Sequence, residues 1–444
     1  MARGSGCIGS SGIAADEPRA SYFPALPRQG RDRSIPRRHP MKHRNQLLAL
    51  FCLVVFAVFG WLYVRTWVVR QPFGIILFVS DGLVARHLTA ARMYEGGAEH
   101  RLALEAFPHL ALVRNAANDF AVPDAAAAAT ALATGVKVNH RALSLDARGQ
   151  ALPTILELAR GKGRAVGLVT NGRLASPSSA AFYAHHADAR EAEVLARMFT
   201  ENAQLDVALG GGRDDFQPAG SGGQRKDTRD LLAELRGKGR EIVGTKAELE
   251  NAAAYREHGL VGVFAPGPLA YSDQIESGSQ QPSLSDMVRR AIEFMQGSSG
   301  GYVLVVDASL ASTAAEQNHG ERLIAETLAL DQAIATAQKY AGEKSLIVAV
   351  GRHSIGGMSL NGYPLRQDHG VALLGSNASG QPAITWATGP NGPAPGVKEP
   401  AAFTVPSALN TAEDVIAVGK GDGAARLRGF IENTAIFHIL RDAL

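Results

Sequence analysis

The chain opens polar and basic, turns abruptly apolar, and then settles into short apolar runs separated by amphipathic stretches. From Leu47 to Val64 it reads LLALFCLVVFAVFGWLYV, 18 residues without a charge, closed by Arg65 and Trp67. That length just spans a bilayer core as a helix. A buried core helix and a cleaved signal peptide are the competing readings. The flanking charges argue against the first, and the aromatics after Ala57 argue against the second, because a small-residue cleavage site belongs there. Residues 46–68 are therefore expected to form a transmembrane signal anchor. Arg37, Arg38, Lys42 and Arg44 outweigh Arg65 and Arg70, which predicts a single pass with a cytoplasmic N-terminus and the remainder on the periplasmic or other extracytoplasmic side. Residues 1–45 hold nine Lys/Arg among scattered Gly, Ser and Pro without periodicity, the composition of a disordered basic tail. Met41-Lys42-His43-Arg44 reads as the natural beginning of a signal anchor, which makes residues 1–40 an upstream start-codon artefact or a dispensable tail.

Beyond the anchor, residues 71–444 alternate β-branched runs with helical patterns. The runs are GIILFVS (74–80), RAVGLVT (164–170), DVALG (206–210), LVGVFA (260–265), YVLVV (302–306) and LIVAV (346–350). Strands that are apolar throughout are covered on both faces, so the pattern predicts a doubly wound α/β domain with a mostly parallel central sheet and helices on both sides. Asp124, an alanine-rich body and Gly135 read as the cap, body and stop of one helix, and Ser283 as the cap of a second, SLSDMVRRAIEFM. In such sheets chemistry gathers beyond the carboxyl ends of the strands. That points to Ser80-Asp81-Gly82, Thr170-Asn171, Asp307 and Arg352-His353.

Composition narrows the picture. Lys+Arg number 45 against 42 Asp+Glu, and the basic excess is confined to the N-terminus, so there is no nucleic-acid signature. The two cysteines, Cys7 and Cys52, lie outside the globular part, which excludes a disulfide framework.

The runs ILFVSDG, TAARMY, PDAAAAATALATGVKVN, LPTILELARGKGRAVGLVTNGRLASPSSAAFYAHHAD, DVALGGGRDDF, LSDMVRRAIEFM, the stretch from Val306 to Asp331, RHS before GGMSLNGYPLR, NTAEDVIAVG and LRGFIENTAIFHIL occur in the order found in alkaline phosphatases. Over about residues 73–442 the chain resembles that family. The resemblance implies two zinc ions and a magnesium ion beside a serine nucleophile at a helix N-terminus, with a phosphoserine intermediate. Two cations would clamp the attacking and leaving oxygens while helix amides and an arginine hold the phosphoryl group.

Carried over position by position, much of that set is replaced. The nucleophile position is Ala125, whose methyl group cannot attack phosphorus. One zinc set falls on Ser312, Glu316 and Asn410, of which only Glu316 offers a carboxylate. The other keeps Asp81 and His353 but has Arg352 where the family has an aspartate, and a guanidinium repels a dication. Arg352 could fill the vacated charge by pairing with Asp81 or Glu316. The phosphate-holding arginine falls on Ala189, with Arg190 one position and about 100° of helix further on. Asp81, Ser178 and Asp307 supply the oxygen set of the magnesium position, shortened by a methylene at Asp307. They would hold at most one weakly bound magnesium, or pair with Arg352 instead, and zinc is not expected.

The expectation is a membrane-anchored, non-catalytic domain that binds a phosphate-like anion through Ala125, Arg352 and His353, or a protein partner. The alternative is an active phosphoric ester hydrolase with a remodelled, metal-depleted site, using Ser80, Ser176 or Ser312 as nucleophile and Glu316 or His353 as base. A homodimer is also open, since family members commonly pair. Gly210-Gly211-Gly212-Arg213 lacks the spacing of a phosphate loop and reads as a structural turn. His185, His186, His319 and Asp368-His369-Gly370 receive no function.

Overall fold

The computed structural model describes residues 41–67, 73–253, 259–275, 278–361, 376, 379–392 and 401–444. The chain divides into two units, residues 1–69 and 70–444. In the first, a helix runs Met41–Trp67, so residues 41–45 join the helix rather than the expected tail. Its segment His43–Tyr63 is long and apolar enough to cross a membrane and is not buried in protein. This is unlike a core helix, whose apolar side chains would be covered. The preceding residues of the expected tail lie outside the described residues, as does Asp368-His369-Gly370.

The second unit is built on strands β1 Gly74–Ser80, β2 His109–Arg114, β3 Ala165–Arg173, β4 Val207–Gly211, β5 Glu241–Val243, β6 Leu260–Val263, β7 Tyr302–Ala308 and β8 Leu346–Gly351. They are followed by β9 Ser354–Ile355, β10 Ser359–Leu360, β11 Ile384–Gly389, β12 Ala401–Thr404, β13 Asn410–Thr411, β14 Val415–Lys420 and β15 Arg428–Glu432. Ten of them form one sheet in the order β15-β2-β14-β8-β1-β7-β3-β4-β6-β5. Within it, only β14 runs against its neighbours, pairing antiparallel with β2 and β8. All six predicted strands are present within a few residues of their expected limits.

Alternation along the central strands divides the core as a sheet covered on both faces requires. Ile75, Leu77 and Val79 of β1 join one apolar cluster with Val303 and Val305, while Ile76 and Phe78 join a second with Leu304 and Val306. The helix Leu284–Met295, capped by Ser283, packs Met287, Val288, Ala291 and Ile292 into the second cluster. A smaller third cluster lies under the sheet β10-β11-β12.

Because β8, β1 and β7 are adjacent and parallel, their carboxyl ends come out side by side. Asp81, Asp307 and Arg352 sit at those three ends, which is what brings them together.

Candidate active site

Asp81 follows β1, where the chain must turn at once into the helix Ala85–Gly96. Gly82 makes that turn with φ +72°, and its NH donates to the His353 carbonyl at 2.7 Å. Arg352 leaves β8 with its NH on the Ser80 carbonyl at 3.0 Å, so backbone bonds fix the approach of the two segments before any side chain acts.

All three nitrogens of the Arg352 guanidinium donate to carboxylates. Nε reaches Asp81 Oδ1 at 2.7 Å, Nη2 reaches Asp81 Oδ2 at 2.5 Å, and Nη1 reaches Asp307 Oδ1 at 3.2 Å. The Arg352 side chain is 1% exposed. Burial alone would lower its pKa, but Asp81 and Asp307 outweigh that and hold it above its ordinary value. Asp81 is the mirror image: burial pushes its carboxyl up, while Arg352 and His353 draw it below the usual range. The pairing thus falls on Asp81 and Asp307, rather than on Glu316.

The other oxygen of Asp307 is also engaged. Its Oδ2 accepts hydrogen bonds from Ser178 at 2.7 Å and Ser179 at 2.9 Å, with Thr170 Oγ1 at 3.4 Å. Ser312 donates to Asp81 Oδ2 from the helix Leu310–Glu316. Asn115 donates to the Arg352 carbonyl. Thr170, singled out by its place after a strand, joins the site, whereas Ser179 and Asn115 are site residues that the sequence reading passed over. Ser179 could have been found as the third hydroxyl of ASPSS, whereas Asn115 follows β2, which carries no motif.

These contacts bear on two expectations. The proposed magnesium trio does not present free oxygens, because both carboxylates close on Arg352 and the Ser178 hydroxyl closes on Asp307. Among the described residues, no group of three or more His, Cys, Asp or Glu is placed to hold a metal ion. A dication at this position would have to meet a guanidinium, so the donor set as arranged does not fit one. Arg352 spends three of its five N–H donors on Asp81 and Asp307 and is buried, so its charge is directed at these carboxylates rather than outward at an anion.

His353 lies beside this cluster, 3.4 Å from Asp81 Oδ1 through Nε2 and 2% exposed, and neither ring nitrogen has a hydrogen-bond partner among the described residues. Burial lowers its pKa against the opposing pull of Asp81, which favours the neutral ring. Glu316 stands one helix turn beyond Ser312; burial and the charge of Asp81 raise its pKa.

The helix Ala125–Thr134 starts at the expected residue. Asp124 caps it, accepting from the Ala127 NH at 2.8 Å through Oδ1 and from the Arg141 NH at 2.8 Å through Oδ2, and Gly135 ends it in the left-handed region. The charge of Asp124 is felt by His353, so the helix start adjoins the cluster. Asn410 approaches from the other side, donating to the Pro123 carbonyl at 2.9 Å and pairing with Ile355 in the β13–β9 ladder. The positions Ala125, Ser312, Glu316, Arg352, His353 and Asn410 thus converge around one place.

The remaining candidates are structural. Ala189 is buried, and Arg190 is an exposed residue whose guanidinium is spent on Asp188 at 2.5 Å. Ser80 donates to the carbonyls of Asp81 and Ala308, each at 3.3 Å, and Ser176 caps the short helix Pro177–Ala180. Gly212 turns the chain after β4 with φ +91°, and Arg213 donates to the Val263 carbonyl at 3.0 Å. His185 bridges the Ser144 carbonyl and Glu157, each at 2.9 Å, and His186 pairs with Leu143 through a backbone bridge. His319 stands at the N-cap of the helix Gly320–Tyr340.

Comparison with known proteins bears on the family and the fold. The chain is 29% identical over 370 residues to the tissue-nonspecific alkaline phosphatase of Gallus gallus, covering 71% of this chain and 70% of that protein. It is 30% identical over 263 residues to alkaline phosphatase 4 of Bacillus subtilis, covering 58% and 54%. Among solved structures, alkaline phosphatase from Thermus thermophilus superposes with a TM-score of 0.69 at 25% identity, over 84% of this chain and 92% of that one. The enzyme of the Antarctic bacterium TAB5 gives a TM-score of 0.69 at 22% identity, over 84% and 98%. A family model described as alkaline phosphatase matches residues 74–444, and the chain belongs to the alkaline phosphatase family.

Proposed function

We propose that this chain is a membrane-anchored member of the alkaline phosphatase family that has lost phosphomonoesterase activity and serves by binding, with its globular domain on the extracytoplasmic side. The observation that carries the reading is the pairing of Ala125 at the helix start with Arg352 locked on Asp81 and Asp307. A solved relative, a variant of the TAB5 enzyme, is described with Mg bound in its M3 site. In this chain Asp81 and Asp307, where the family resemblance puts the magnesium ligands, are already paired with one internal cation, and the residue at the helix start carries a methyl group. Neither half of a metal-assisted displacement is in place.

What remains for a ligand is the amide-rich start of the helix Ala125–Thr134 together with His353. A helix N-terminus favours an anion, and a neutral imidazole can donate one hydrogen bond to it. A phosphate-like group or an acidic segment of a protein partner is the ligand this supports. The single apolar helix supports anchoring, and the charges flanking it support the assigned side.

The test uses the full chain purified in detergent. Hydrolysis of p-nitrophenyl phosphate with added zinc and magnesium is expected at background rates, and two tightly held zinc ions per chain would refute the reading. A second reading, hydrolysis at a remodelled site, rests on the placement of Glu316 one helix turn beyond Ser312, where burial and the charge of Asp81 push its carboxyl up. A rate well above background that disappears in Glu316→Gln would select it.

A further inference from the structure

Two carboxylates, Asp81 and Asp307, are 3% and 0% exposed at the ends of adjacent strands. Buried together they would repel each other, and each would carry a desolvation cost that only a cation held close can offset. The cation present is part of the chain. We propose that Arg352 serves as a built-in structural cation, holding the domain in a form that neither needs nor admits a divalent ion, and that a latent metal site lies beneath it.

The geometry supports a cross-linking role as well as a neutralising one. Arg352 comes from the end of β8, Asp81 from β1 and Asp307 from β7, three strands that are neighbours in the sheet. The planar fork meets Asp81 through two nitrogens and Asp307 through the third, a division that an ammonium could not reproduce. Each carboxylate passes the link outward. Asp307 receives Ser178 and Ser179 from the segment after β3, and Asp81 receives Ser312 from the helix Leu310–Glu316. One guanidinium thereby ties five chain segments, which is the work a bound ion does when it gathers ligands from several elements.

A guanidinium and a dication cannot share these oxygens. With Arg352 present, added metal has no free carboxylate; with it removed, two acids and their flanking hydroxyls remain, a hard oxygen set suited to magnesium or manganese.

The experiment follows thermal unfolding of the detergent-purified full chain at a fixed scan rate, in EDTA and in millimolar Mn²⁺, with bound manganese counted after gel filtration. The wild-type midpoint is expected to be the same in both and its manganese content near zero. Arg352→Ala is expected to unfold about 5–10 °C lower in EDTA, because two buried charges have lost their partner, and to recover most of the loss in Mn²⁺. If Arg352→Ala does not fold, Arg352→Lys carries the test. Keeping the charge but not the fork, it should unfold at an intermediate temperature and stay indifferent to Mn²⁺. The proposal is overturned by a wild type that is stabilised by Mn²⁺, by an Arg352→Ala that is as stable as wild type in EDTA, or by an Arg352→Lys that becomes manganese-dependent. None of these readouts depends on catalysis, so they stand or fall separately from the hydrolysis assay.

Discussion

Gly82 shows how tightly single residues are committed around the cluster. At φ +72° an added Cβ would meet His87 Cε1 at 2.3 Å, so Gly82→Ala suffers both backbone strain and a clash. A loss of about 2–4 kcal/mol in denaturant unfolding is expected, more than a surface glycine with open space around it would show. His87 itself is fully buried, and burial, aided by Arg86, lowers its pKa to about 3. The unfolded chain takes up a proton near pH 6.5 that the folded chain refuses, so stability is whole above that value and falls as the pH drops toward 3. Going from neutrality to mild acid near pH 5 should cost about 2 kcal/mol through this residue. His87→Phe should flatten that part of the stability profile; an unchanged acid slope would assign it to other groups. At the site, Ala125→Ser restores a hydroxyl to the helix start but nothing to activate it. Its p-nitrophenyl phosphate hydrolysis should stay at background with zinc and magnesium present.

Helices and strands differ in how openly the sequence announces them. The helix Ala125–Thr134 was legible to the residue, because Asp124 and Gly135 each do one local job: the carboxylate accepts orphan amides and the glycine takes a left-handed conformation. Asp124→Ala removes acceptors from both Ala127 and Arg141, and a loss of about 1–2 kcal/mol is expected, measured as a shift of the denaturation midpoint. The apolar strands of the centre were legible for a similar reason, since burial on both faces leaves an uninterrupted run. β2, β5, β14 and β15 were not. HLALVR and RGFIE carry exposed residues, the latter on the edge strand, and VIAVGK lies inside a stretch recognised by family likeness rather than by pattern. The direction of β14 was invisible for a deeper reason: strand direction is decided by connections between distant segments, and no local residue encodes it. The same holds for the acid that Arg352 would choose. The residues alone left Asp81 and Glu316 open as its partners, and the order of β8, β1 and β7 is what places Asp81 and Asp307 at the adjoining strand ends.

On the scale of the whole molecule, the family's layout is kept, while the proposed loss of activity turns on a few side chains at the centre, and the two have separate physical roots. The outline rests on large numbers of buried apolar contacts that tolerate many substitutions, whereas the centre rests on a few side chains, each of which is decisive. Loss of residues 1–69 should convert a detergent-requiring protein into one recovered in the soluble fraction; continued membrane association of the truncated chain would point to a second attachment.

The position of β14 carries a consequence for how the molecule is made. β2, formed early in the chain, has as its sheet neighbours only β14 and β15, both contributed by residues 415–432. Until those last segments arrive, one flank of the sheet has no strand to join it to β8, and the gap cannot be filled from anything already synthesised. Joining β2 to β8 through β14 is therefore a closure of very long sequence separation, an intrinsically slow kind of event. A chain truncated just before β14 should remain protease-sensitive throughout.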